Sequence, residues 1–167
     1  LYLKKKLNKI LNKKNSVIES LGKNYKNSYD KKLLNRYKKS LNFRVIGMGG
    51  SILGTQAIYD FLRHKIKRKF EFINNLDSSL KNKIKKKYTN LIVSKSGNTI
   101  ETITNVNLFL KKKDRNIFIT ENKKSYLFLL ANKMKSEIVH HNNFIGGRYS
   151  VLSEVGMLPE ELMGLSA

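Results

Sequence analysis

The chain has 167 residues, enough for one ordinary domain with a core of its own. It has no cysteine, which excludes a disulfide framework and a thiolate metal site, and no apolar run approaches the roughly 18 residues of a membrane span. The formal net charge of +22 invites a nucleic-acid reading, but 28 of the 34 basic residues are Lys and only 6 are Arg, whereas contacts to base edges favour Arg forks. Lysine, asparagine and isoleucine together are what an AT-rich genome encodes. The lysines fall in runs over 4–14, 23–39, 65–69, 81–87 and 111–113, which read as solvated helix faces. We therefore expect no nucleic-acid partner and no membrane. Without a signal-peptide core at the N-terminus, a cytoplasmic protein is the expectation. The chain starts at Leu1 rather than Met and reaches Ala167 with no obvious stop in its pattern, so we expect a piece of a longer protein.

Residues 1–40 carry Leu3, Leu7, Ile10 and Leu11, then Leu33, Leu34, Tyr37 and Leu41, near helical spacing. This reads as two helices broken over 22–28 and packed on the main domain. A short apolar strand over 43–46 runs into Gly47-Met-Gly-Gly-Ser-Ile-Leu-Gly54, and a helix with Ala57, Ile58, Phe61 and Leu62 on one face comes after it. Next come a strand over 70–73, a Lys-rich helix over 80–88 and a third strand over 91–94. That strand meets Lys95-Ser-Gly-Asn-Thr99 and a helix carrying Ile100, Ile103, Val106 and Leu110. A strand over 117–120, a helix over 126–134 and a strand over 138–140 complete the alternation. Strands alternating with crossovers of this length predict a three-layer α/β/α sandwich around a doubly wound, five-stranded parallel sheet. In such sheets a ligand lies beyond the carboxyl ends of the strands, where the strand order reverses. The turns after the first and third strands would meet there.

The turn over 94–99 joins a buried strand to a helix N-terminus through hydroxyls, an amine and a glycine, which is a place to hold a phosphate. The other reading is an ordinary cap, because Asn98 with Glu101 three residues on is capping-box-like. The loop over 47–54 lacks the glycine at 52 that a dinucleotide fingerprint requires, and no Gly-Lys-Ser/Thr stands where a P-loop would need it. Gly49-Gly50 before Ser51 still permits close backbone approach, or simply a tight turn. Arg148, after Gly146-Gly147, is a permanent charge suited to a developing oxyanion, or else a salt-bridging arginine.

Three stretches, in order and spacing, resemble the phosphoglucose isomerase family: Val45-Ile-Gly-Met-Gly-Gly-Ser-Ile-Leu-Gly54, Ser94-Lys-Ser-Gly-Asn-Thr-Ile-Glu-Thr102 and Gly146-Gly-Arg-Tyr-Ser-Val-Leu-Ser-Glu-Val-Gly-Met-Leu-Pro159. The resemblance runs from about residue 43 to the end and is to that family's first sugar-isomerase (SIS) domain. Beside the helical segment read over 1–40, it implies a sugar-phosphate-binding domain over 41–145 and the start of the next segment over 146–167. It implies that Ser51, Ser94, Lys95, Ser96 and Thr99 surround a substrate phosphate, with the backbone of Gly50 close by. Arg148 and the backbone of Gly147 would sit beside the sugar and stabilise an enediolate. Glu101 would lie near a histidine that assists ring opening and orient that group, since a carboxylate aimed at a phosphate would repel it.

The activity implied is interconversion of glucose 6-phosphate and fructose 6-phosphate, in glycolysis and gluconeogenesis, by a homodimer with no metal and no organic cofactor. The family's base is a glutamate in a later motif, with a histidine and a lysine beyond it. None of these has a counterpart in residues 1–167, so this stretch alone is expected to be inactive. His64, His140 and His141 match no catalytic position. Ser-Gly-Asn-Thr after Lys95 departs from the animal-type pattern and resembles bacterial members and other SIS proteins. The alternative is a non-catalytic SIS-domain sensor of a sugar phosphate, against which Gly146-Gly-Arg148 argues, because a sensor needs no enediolate stabiliser.

Overall fold

A computed structural model describes residues 2–12, 16–22, 24–76, 87–111 and 113–165. All five apolar runs form strands: β1 (Asn42–Ile46), β2 (Lys69–Ile73), β3 (Thr89–Val93), β4 (Arg115–Thr120) and β5 (Glu137–His140). Every pairing is parallel and the order is β2-β1-β3-β4-β5. From β1 the chain crosses outward to β2, then returns past β1 to β3 and continues the other way. The order therefore reverses between β1 and β3, the crevice where ligands collect in open α/β sheets.

Side chains alternate across the sheet, and each face acquires its own helices. Phe43, Val45, Leu91, Val93, Ile117 and Ile119 pack against Leu33 and Tyr37 of α3 (Lys31–Tyr37), Tyr59 of α4 (Leu53–Phe61), and Val155, Leu158 and Leu162 of α7 (Glu154–Met163). On the other face Ile46, Ile92 and Phe118 meet Val106 and Phe109 of α5 (Ile100–Phe109), and Leu127 and Ala131 of α6 (Tyr126–Lys133). Burying each such side chain contributes about 1.5–3 kcal/mol. The result is the expected three-layer sandwich. The helix expected over 80–88 lies outside the described residues, save Lys87 and Tyr88, which are irregular.

The N-terminal reading holds in part. Among the described residues three helices stand where two were expected: α1 (Tyr2–Leu11), α2 (Ser16–Glu19) and α3. The α3 helix docks as expected, started by Asp30, whose carboxylate accepts the Leu33 N–H at 2.9 Å. The α1 stripe of Leu3, Leu7, Ile10 and Leu11 is exposed and has no buried residue among those described, so its packing on the body is not observed.

Within β1, read as a buried strand, a charge sits in the core. Arg44 is 2% exposed and forms an ion pair with Glu71 of β2 at 2.7 Å, its guanidinium lying 4.1 Å from the Tyr88 ring centre and 5.0 Å from that of Phe109. The planar, weakly hydrated head satisfies itself between a carboxylate and two rings, which a lysine could not do as well.

Candidate functional site

The segments after β1 and β3 stand side by side because β1 and β3 are paired, with Val45 opposite Leu91 and Ile46 opposite Ile92. After β3 the chain turns through Ser94-Lys95-Ser96-Gly97-Asn98 into α5. Ser94 is buried, and its hydroxyl lies 3.1 Å from that of Thr99 while accepting the Gly97 N–H at 3.2 Å. The Ser96 hydroxyl, exposed, accepts the Asn98 N–H at 3.2 Å and lies 3.5 Å from the Thr99 hydroxyl. Three hydroxyls thus cluster above the first turn of α5. Thr99 is the cap residue, yet no side chain caps this helix. Its first-turn N–H groups remain available to an anion, and the helix dipole favours one.

The capping-box reading does not hold. Asn98 directs its side-chain oxygen to the Tyr126 N–H at 2.9 Å, at the start of α6 rather than of its own helix. Gly97 adopts φ +66°, and a Cβ there would overlap the Ser125 hydroxyl that caps α6. Only glycine lets this turn lie so close to the neighbouring helix start. Glu101 stands in the first turn of α5, half-buried, and makes no hydrogen bond or ion pair among the described residues.

After β1 the backbone forms a short 3-10 turn over Gly49–Ser51 that leads into α4. Gly49 has φ +52°. A Cβ on Gly50 would overlap the carbonyl of Gly147 and crowd the Arg148 nitrogen. The Ser150 hydroxyl donates to the Gly147 carbonyl at 2.7 Å and reaches that of Gly50 at 3.4 Å. Absence of a side chain at Gly50 therefore seats the third motif on the first. Arg148 itself is exposed and has no ion pair among the described residues, so the salt-bridge reading finds no support there.

Lys95 joins the remaining pair of segments. Its ammonium donates to the Asn143 carbonyl at 2.6 Å and lies 3.7 Å from Glu121. Burial alone would raise the Glu121 carboxyl, but its hydrogen bond and ion pair with Lys123, with Lys95 and His141 behind, hold it below the ordinary carboxylate value. All the residues singled out in the sequence thus stand on three segments that meet at the strand-order reversal: Gly50 and Ser51; Ser94, Lys95, Ser96, Thr99 and Glu101; Gly147 and Arg148. A separate cavity of about 340 Å³, lined by Lys39, Lys87, Tyr88 and Arg115, lies at the amino ends of the strands, away from this crevice.

What sequence reasoning missed is the polar cluster beneath the third segment. Glu154 and His141 are both fully buried, with His141 Nδ1 3.9 Å from the Glu154 carboxylate. Burial lowers the His141 pKa, against the opposing pull of the Asn142 carbonyl and Glu154. Tyr25 joins from the N-terminal segment by donating to Glu154 at 2.8 Å. No local pattern announces a contact between residues so far apart in the chain.

Comparison with known proteins bears on the family and the fold. The family model described as phosphoglucose isomerase matches residues 9–164. The glucose-6-phosphate isomerase of Methanocaldococcus jannaschii is 38% identical over 154 residues, covering 84% of this chain and 37% of the relative. The crystal structure of a hypothetical protein from Thermus thermophilus superposes with a TM-score of 0.70 at 25% identity, over 81% of this chain and 37% of that one. Tagatose-6-phosphate ketose/aldose isomerase from Escherichia coli superposes at a TM-score of 0.60 with 14% identity, over 77% of this chain and 40% of the other, a likeness of fold. The chain spans about two-fifths of the length of the curated relatives it matches. No described helix is long and apolar enough to cross a membrane.

Proposed function

Because the chain belongs to the phosphoglucose isomerase family, we propose that it forms the phosphate- and enediolate-binding portion of a glucose-6-phosphate isomerase. The observation that carries this reading is the convergence of the hydroxyl cluster at the uncapped N-terminus of α5 with unpaired Arg148, seated by the contact of Gly50 with Gly147.

The substrate phosphate rests on the hydroxyls of Ser51, Ser94, Ser96 and Thr99 and the first-turn N–H groups of α5, with Lys95 supplying charge. Isomerisation moves a proton between C2 and C1. A base takes the proton from C2, an enediolate forms, and the proton returns at C1. The C2 hydroxyl gives up its proton to become the carbonyl, and the C1 oxygen gains one to become a hydroxyl. Arg148 and the Gly147 backbone face the sugar, where negative charge on the enediolate oxygens is greatest in the transition state. Glu101 orients the group that opens the ring. The base is supplied by a part of the enzyme other than residues 1–167, so this stretch binds the sugar phosphate without turning it over.

On this reading residues 1–40 are a helical arm, 41–145 the sugar-phosphate-binding body, and 146–167 the segment leading onward. The complete enzyme is a cytoplasmic homodimer of glycolysis and gluconeogenesis. The sensor alternative has no use for an unpaired arginine set beside a phosphate cradle.

The test is a coupled assay of fructose 6-phosphate formation by the full-length enzyme. Arg148→Met should lower kcat by about 100-fold with KM nearly unchanged, as expected of a group that meets charge developing in the transition state. Thr99→Val should chiefly raise KM. An Arg148→Met enzyme altered in KM alone would overturn the assignment.

A further inference from the structure

We propose that Glu154 is a positioning residue for the arginine segment: its buried carboxylate, held by Tyr25, clamps the main chain at Asn142 and so sets the stretch that presents Gly147 and Arg148. The proposal rests on the isomerase reading above and extends it to residues that touch no substrate.

The bonds form a closed circuit. One Glu154 oxygen accepts the Asn142 backbone N–H at 2.9 Å and the other accepts the Tyr25 hydroxyl at 2.8 Å. The Asn142 side-chain amide donates in turn to the Tyr25 oxygen at 2.7 Å. Glu154 is 0% exposed, and a carboxylate so placed is tolerated only when its oxygens are hydrogen-bonded. Its position in the first turn of α7 adds the favourable end of a helix dipole. Burial first, and the bond to Glu154 second, push the Tyr25 pKa up to about 12, so the hydroxyl stays a donor at neutral pH.

Asn142 is the hinge of this arrangement. Its carbonyl accepts the Ile145 N–H at 3.2 Å, closing the turn that leads into Gly146 and Gly147. The next carbonyl, of Asn143, takes the Lys95 ammonium from the phosphate turn. A shift at Asn142 would thus move Arg148, whereas Lys95 belongs to the turn after β3 and keeps its place beside Glu121. The arm is tied at two further points, by the Ser28 hydroxyl to the His140 carbonyl and by the Tyr29 hydroxyl to Glu161 at 2.7 Å. Those bonds keep Tyr25 in place when one member of the circuit is altered.

The experiment uses the full-length enzyme with Tyr25→Phe, Glu154→Gln and the pair together. Tyr25→Phe should lower kcat about 10-fold and Glu154→Gln up to about 100-fold, with KM for glucose 6-phosphate within about twofold, because misplacing a reacting group slows the chemical step more than it weakens binding. The double variant should be no worse than Glu154→Gln alone, since both break one circuit. Deuterium uptake over 142–150 should quicken in each variant while β1 and β3 keep their protection. A folded Tyr25→Phe enzyme with unchanged kcat, or uptake that rises evenly across the sheet, overturns the proposal. If Glu154→Gln fails to fold, Tyr25→Phe decides alone. Should the unaltered enzyme not isomerise glucose 6-phosphate, the isomerase reading fails. Uptake over 142–150 then decides the clamp, unchanged protection overturning it.

Discussion

At His141 the fold removes a titratable ring from water, and stability should follow its charge. Burial is the dominant cause of its lowered pKa, opposed by the Asn142 carbonyl and Glu154. The unfolded chain therefore binds a proton near the ordinary value of about 6.5 that the folded chain refuses. Below that pH the unfolded state holds more protons, so stability falls as pH drops from about 6.5 toward the folded pKa and is complete above it. We predict that Tm declines as pH falls through about 6.5 and below, and that His141→Asn flattens this decline. Glu121 acts in another window. Its carboxyl is lowered on folding, so its contribution is present above about 4.5 and is lost as pH falls through the folded value. A Tm loss confined below about pH 4.5 would assign the acid sensitivity to Glu121 instead.

Elements in this molecule meet through backbone at one place and through a buried charge at another, and the two should fail differently. Gly50→Ala puts a methyl group into the Gly147 carbonyl. The turn bearing Arg148 must then shift, and kcat should fall by about 100-fold, as for other displacements of about 1 Å at a reacting centre. Urea unfolding should report a smaller change than that loss of rate suggests. Arg44→Ala should do the reverse. It strands Glu71 and empties the slot between Tyr88 and Phe109, far from the carboxyl ends of the strands. A loss of about 3 kcal/mol is expected from breaking a largely buried pair, with KM unchanged. Both residues also show what local sequence carries. Gly50 was legible, because a diglycine between an apolar strand and a helix has few other uses, as was the hydroxyl-rich turn at 94–99. Arg44 was hidden inside an apolar run, since its partner Glu71 lies on a different strand. Asn98 looked like a cap because its spacing to Glu101 is local, whereas its true partner at Tyr126 is brought near only by the sheet. Tyr25 and Glu154 are invisible for the same reason, more than a hundred residues apart in sequence and 2.8 Å apart in the fold.

Across the whole molecule the excess of basic charge, +22, exceeds anything the folded core requires. That net figure already counts all 12 acidic residues against the 34 basic ones, so pairing cannot reduce it. Arg36 meets Glu137, Arg44 meets Glu71, and Lys95 and Lys123 share Glu121. That excess generates a positive field, which on the proposed function would concentrate a doubly charged sugar phosphate before it binds. Such a field is screened by salt over a Debye length of about 8 Å at physiological ionic strength. Charges lodged at the site, Lys95 and Arg148, act at shorter range and are screened less. We therefore predict that kcat/KM of the full-length enzyme falls by about 10-fold between about 20 mM and about 500 mM salt, while kcat stays nearly level, because steering governs encounter and not the chemical step. Replacing Lys4, Lys5, Lys6 and Lys9 of α1 by Gln separates the sources. A shallower salt slope in that variant means the arm contributes to the field. An unchanged slope means that cations elsewhere on the molecule carry the attraction.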